Sequence, residues 1–211
     1  MELKDKVKKW KKLQQSSITL QEVQRKIDEL QPFWKVFEKE SDRSVAIVAT
    51  CLLDDLLERI IRAAYVQDPQ MKSLFKDSNI LQPFFAKINI AYFSGLIPDI
   101  VYHDLKLICK IRNKFAHAII ADLSFTETSI VQQIEEFKLG PKKIAKLSAP
   151  GIKFRVIIAQ IVAILQVLEE ILSKARPPHL VELLKLNEKT VIGWGLTQAE
   201  IYRALQRTKK S

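Results

Sequence analysis

Between Ile97 and His117 the chain reads Ile-Pro-Asp-Ile-Val-Tyr-His-Asp-Leu-Lys-Leu-Ile-Cys-Lys-Ile-Arg-Asn-Lys-Phe-Ala-His, and this stretch limits the fold more than any other. Ile100, Val101, Leu105, Ile108, Cys109, Ile111 and Phe115 recur at steps of three and four, so one face is apolar and must be covered by a core. Pro98 suits the first turn of a helix, where its missing N–H has no intrahelical acceptor to lose. The pattern predicts a central helix over 97–117. Arg112, Asn113 and His117 form its one dense polar group. Asn113 and His117 share a face, whereas Arg112 and His117 are about 140° apart around a regular helix. They converge only if the helix ends near Ala116 or if a second copy of the chain supplies the partner residue.

The other segments repeat the same periodicity. With only 5 glycines and 47% apolar residues in 211, and with no convincing alternation, the expected class is all-α: a multi-helix bundle of about seven to nine helices. Residues 1–40 carry a basic amphipathic helix over 2–14 and then a seam of Leu20, Val23, Ile27, Leu30, Trp34 and Phe37, opened by the capping box Thr19-Leu20-Gln21-Glu22 and interrupted at Pro32. Glu38–Asp42 is a polar break, so the core domain is placed at 41–175. Ser41 is suited to cap a long helix reaching Tyr65, with Asp55–Arg59 and Glu58–Arg62 as four-residue ion pairs on its wet side. A helix over Asn79–Leu96 is expected to stop at Gly95, with Pro83 in its first turn. Thr126 or Thr128 is the expected cap of a helix through Phe137. Lys153–Lys174 is apolar nearly all round but broken by Arg155, Gln160, Gln166, Glu169 and Glu170, which predicts a buried core helix and no membrane span. The tail 176–211 offers short helices at 180–186 and 197–207, joined by a linker too long for a helix-turn-helix.

Charge and cysteine content narrow the function classes. The balance of 34 basic against 24 acidic residues, net +10, favours anionic partners, nucleic acid foremost. Cys51 and Cys109 sit in apolar helical runs, which predicts reduced core thiols. The three histidines have no ligand spacing with them, so no metal or cofactor is expected. A lysine-rich start with no apolar run after it points away from a signal peptide and toward the cytoplasm.

Several ordered pieces carry a family resemblance: Ser41-Asp42-Arg43-Ser44, Cys51 through Glu58, Leu74-Phe75, Phe84 through Ile88, Ala91 through Ile97, and Arg112 through His117. In that order they resemble the mannitol operon repressor (MltR-like) family, with a weaker continuation through Leu123-Ser124-Phe125 and the helix at 154–172. The resemblance implies a helical regulatory protein of transcription that works through protein partners or as a homodimer. The hexapeptide Arg112–His117 also resembles the R-x4-H motif of HEPN-type ribonucleases. That resemblance implies metal-independent RNA cleavage at a dimer cleft, with Arg112 clamping phosphate, His117 as acid/base and Asn113 orienting, and it favours RNA over DNA as the nucleic-acid partner. The same residues also fit a purely structural network, in which Arg112 pairs with Asp54 or Glu58 and His117 sits at a helix C-terminus that favours positive charge.

Overall fold

The computed structural model describes residues 20–65 except 38, 71–117 except 72, 77 and 78, 123–139 and 149–174, together with Asp5 and Lys8. Regular structure among them is entirely helical: α1 (Leu20–Glu29), α2 (Gln31–Phe37), α3 (Asp42–Ala64), α4 (Phe84–Phe93), α5 (Asp99–His117), α6 (Thr128–Glu135) and α7 (Pro150–Lys174). The basic helix expected over 2–14, apart from Asp5 and Lys8, together with Thr19 of the capping box and the tail helices, falls outside the described residues. The helix total expected for the whole chain extends into those segments as well.

The hub is α3. Ser41 opens it as expected, its Oγ accepting the Ser44 N–H at 3.2 Å, with Asp42 in the first turn. Val45, Ala46, Ala49, Leu53, Leu56, Leu57, Ile60 and Ile61 are buried along one stripe, which meets α7, α5 and α4. The opposite flank is solvent-facing, and Cys51 lies there with Val48 and Asp55. Cys51 is therefore an exposed free thiol and Cys109 a half-buried one, not the two core thiols expected. The apolar residues of α3 outnumber the positions its stripe can bury.

Two proline effects set helix starts. Pro83, with φ −67° and ψ 136°, is the N-cap of α4, so this helix begins at Phe84 and not at Asn79. Residues preceding a proline are pushed out of the α region, and Asn79–Gln82 form turns in which Leu81 N–H reaches Leu74 C=O at 3.0 Å. At the other end, Gly95 takes φ +69° while Leu96 N–H bonds Ala91 C=O and Gly95 N–H bonds Tyr92 C=O, both at 2.9 Å. Only a left-handed residue closes both bonds, which is why a glycine stops α4 and turns the chain directly into α5. The carbonyl of Pro98 accepts from both Val101 and Tyr102 at 3.0 Å, so proline heads α5 as the sequence predicts.

Helix α5 buries Val101, Leu105, Ile108, Ile111 and Phe115 against α3, while Ile100 lies at its edge and is exposed. Phe115 meets Phe125 edge-on at 5.1 Å between ring centroids, and Phe125 packs on Phe154 of α7 at 4.6 Å. Phe125 thus plugs the space between α5 and α7 from a loop. Its N–H donates to Asp42 Oδ2 at 2.9 Å, tying that loop to the start of α3. Close packing here also explains a glycine, because a Cβ on Gly151 would meet Phe125 Cδ2 at 3.2 Å. Helix α6 starts behind Glu127 without a side-chain cap; the Thr126 N–H is taken by Ser124 Oγ in the preceding turn, so neither threonine caps it.

By length and composition Pro150–Ser173 is long and apolar enough to cross a bilayer. In the fold it is a core helix. Phe154, Ile157, Ile158, Ile161, Val162, Ala163 and Leu165 are buried, and α3 and α1 pack on it. Its Glu170 pairs with Arg25 and Lys26 of α1, and Arg155 reaches Asp42 at 3.5 Å.

Candidate functional site

A cleft of about 390 Å3 opens where α3, the start of α4 and the last third of α5 meet. Thr50, Cys51 and Asp54 come from α3, Gln82, Pro83, Phe84 and Phe85 from the α4 entry, and Cys109, Arg112 and Asn113 from α5. Each group is there for a local reason. Cys109 and Arg112 lie on one edge of the buried α5 stripe, facing α4, and Thr50 and Asp54 are four apart on the matching edge of α3. The shortening of α4 by Pro83 leaves the space they share.

Beneath the cleft lies a buried cation. Lys87 of α4 is only 3% exposed, and its Nζ sits 2.9 Å from Asp54 Oδ2 and 3.2 Å from Glu58 Oε2, near the Phe75 ring. Glu58 also receives Arg62 at 2.7 Å. The pairing expected between Arg112 and Asp54 or Glu58 is therefore not formed: Lys87 and Arg62 occupy those carboxylates. Desolvation raises the Asp54 carboxyl above the ordinary carboxylate range, only partly opposed by Lys87. Glu58 moves the other way; burial pushes its carboxyl up, and the hydrogen bonds and charges of Arg62 and Lys87 together outweigh that. Burial raises the Cys109 thiol, with the Arg112 charge opposing.

Arg112 is left with little. Its Nη1 donates to Asn113 Oδ1 at 3.1 Å, it makes no ion pair among the described residues, and its Nε is buried without an acceptor. Asp54 Oδ1 is likewise buried without a donor. Thr50 is already committed, donating to Ala46 C=O at 2.8 Å. Among the described residues the cleft thus has a guanidinium with no ion pair, and beside it an enclosed carboxylate oxygen with no donor.

His117 is elsewhere. Helix α5 continues through it, so the early helix end that would have brought it to Arg112 does not occur. Its side chain is exposed and does not line the cleft. Within one protomer the cleft takes Arg112 and Asn113 and leaves out His117, which lies one turn beyond Asn113 on the same helix face.

One polar residue escaped the sequence reading altogether. Asp104, 0% exposed, accepts the Lys138 N–H at 2.9 Å and the Leu139 N–H at 2.8 Å, while His103 Nδ1 lies 2.9 Å from its Oδ1. It holds the segment after α6 against α5. The signal available was an aspartate inside an otherwise apolar stripe, but its partners are backbone groups more than thirty residues away. A second cavity of about 500 Å3 lies between α1, α2 and α7, lined by Ile27, Trp34, Phe37, Ile152, Val156 and Ala159 among others, and is mainly apolar. No group of His, Cys, Asp and Glu suited to a metal ion occurs among the described residues.

No protein-family model matches the chain, and no curated protein sequence matches it. Among solved structures it is similar to a chain of the MtlR–HPr complex from Escherichia coli, at 18% identity and a TM-score of 0.44, over 72% of this chain and 97% of that one.

Proposed function

We propose that this chain is a helical regulatory protein of transcription, acting through a protein partner or as a homodimer and not by catalysis. The observation that carries the reading is the division of the Arg112–His117 motif. Metal-free RNA cleavage needs a proton acceptor and a phosphate-stabilising cation at one point, and α5 sends them to different sides. Around the cleft the surface suits recognition. Val48, one turn before Cys51, is 44% exposed and Phe85 is 47% exposed, giving apolar surface beside an unpaired cation, a combination common at protein contacts. The sequence resemblance over 41–117 points the same way.

A specific observation keeps a second reading in play. Arg112 is not consumed by a structural ion pair, so a second copy of the chain that brought its His117 to this cleft would complete a HEPN-type site. One experiment separates the two. End-labelled mixed-sequence RNA is incubated in chelator with the purified chain and with its folded His117→Ala variant, while light scattering gives the mass of each. The regulatory reading expects intact RNA from both. Cleavage by the first and none by the second would replace it with the ribonuclease.

A further inference from the structure

Where α4 turns into α5, three aromatic rings stand together. Tyr92 and Tyr102 stack with centroids 4.0 Å apart and planes 11° from parallel. Phe93 meets Tyr92 edge-on at 5.4 Å and lies 6.4 Å from Tyr102. The group is held in place, because the Tyr102 hydroxyl donates to Asn89 Oδ1 at 3.1 Å and Gly95 sets the turn beside it. Phe93 is nevertheless 76% exposed, so most of its ring faces solvent from a fixed position. The charge around these rings has one sign. Lys106 Nζ lies 5.0 Å from the centre of the Tyr102 ring, and Lys110 follows one turn along on the exposed side of α5. The sequence has no acidic residue between Asp77 and Asp99 or between Asp104 and Asp122. Of the two acids that remain nearby, Asp99 has Lys138 at 3.4 Å and Asp104 is enclosed by backbone donors.

Fixed rings open to solvent, flanked by cations with no acid to repel phosphate, are what a single nucleic-acid strand uses: bases stack on the rings and the backbone follows the positive charge. Other occupants fit less well. A second copy of the chain would set the same lysines against one another. A lipid surface or an amphipathic helix needs a continuous apolar patch, and Asn89 and Lys106 interrupt this one. An acidic peptide would meet the lysines but has nothing flat to lay on Phe93. We propose that this end of the α4–α5 pair binds single-stranded nucleic acid, with a base stacked on Phe93 and phosphates on Lys106 and Lys110. None of these residues lines the Arg112 cleft, so the proposal goes beyond the regulatory reading and requires no cleavage.

The test is fluorescence anisotropy of the full chain with a labelled short strand of mixed sequence, as RNA and as DNA, and with the same sequence as a duplex, whose bases are already stacked. Both single strands are expected to bind at low salt, and the tighter of the two identifies the sugar the face accepts. Phe93→Ala weakens single-strand binding roughly tenfold, the usual worth of one base stacked on a ring, and leaves the duplex unchanged. Phe93→Leu, which keeps an apolar side chain but no ring, weakens it nearly as much. Lys106→Gln lowers the slope of log affinity against log salt by about 0.7, one phosphate contact on a single strand. An unchanged melting temperature shows that each variant folds. Absence of single-strand binding would overturn the proposal, as would full affinity in Phe93→Ala or an equal loss of duplex binding. Full affinity in Phe93→Leu would mean a merely apolar contact. Poly-L-glutamate displacing the strand as well as unlabelled strand of equal charge would mean an acidic protein instead.

Discussion

Asp104 and Asp54 are both aspartates on core-facing helices, yet they have opposite surroundings. Asp104 is fully enclosed, and both of its oxygens accept backbone N–H groups from the segment after α6. Asp54 is half-buried, gives one oxygen to Lys87 and keeps the other without a donor, and Arg112, which lines the same cleft, holds only Asn113 among the described residues. The first arrangement is closed: nothing could be added to it, and its effect is to fix one part of the chain against another. The second is incomplete: Asp54 Oδ1 and Arg112 Nε are both enclosed, and neither has a partner among the described residues. Buried polar groups are generally satisfied in folded proteins, and Asp54 Oδ1 and Arg112 Nε are two of the few here that are not, the others including Gln133, Arg155 and Gln160.

Breaking the closed arrangement should have the largest effect. Asp104→Ala strands two backbone N–H groups and should cost about 3–4 kcal/mol in urea unfolding. Asp104→Asn, which keeps one accepting oxygen, should cost roughly half as much. Next comes the cation under the open cleft. Lys87→Met keeps the packed stem but leaves Asp54 and Glu58 facing each other, and because both are partly solvated the expected loss is about 2–3 kcal/mol, below that of a fully buried pair.

The two carboxylates then give stability a pH dependence of opposite sign, measured by unfolding at a series of pH values. Asp54, raised in the folded chain, binds more protons folded than unfolded between the ordinary carboxylate range and its raised value. Stability therefore falls as pH rises through that window, and the fall should vanish in Asp54→Asn. Glu58, lowered in the folded chain, contributes stability that is present above the ordinary range and lost as pH drops through its lowered value.

Most of the frame could be read from the residues. Ser41 as a cap, Pro98 at the head of α5, Gly95 as a stop and the ion pairs Asp55–Arg59 and Glu58–Arg62 are local signals, set by neighbours within one or two turns, and the structure has them all. The candidate site was legible only in part. Arg112 and Asn113 stood out because they are polar in an apolar run, but the partner of Asp54 depends on Lys87, thirty-three residues along, and a lysine in a helical pattern reads as solvent-facing. Cys51 was misplaced for a related reason: periodicity tells which residues share a face, not how wide a stripe the neighbouring helices will cover. Asp104 shows in the sequence only as an aspartate inside an apolar stripe, because its partners are backbone groups, which carry no sequence signal. The short α4 was missed although Pro83 announced it, since a proline permitted in a first turn can equally stand just before one.

The most direct test of the incomplete arrangement is the unfolding free energy of Arg112→Gln against that of the unaltered chain. An arginine that holds no ion pair should change stability by no more than about 0.5 kcal/mol; a loss of about 2 kcal/mol or more would mean that Arg112 is already paired inside the fold, and the cleft would then be closed like the site of Asp104.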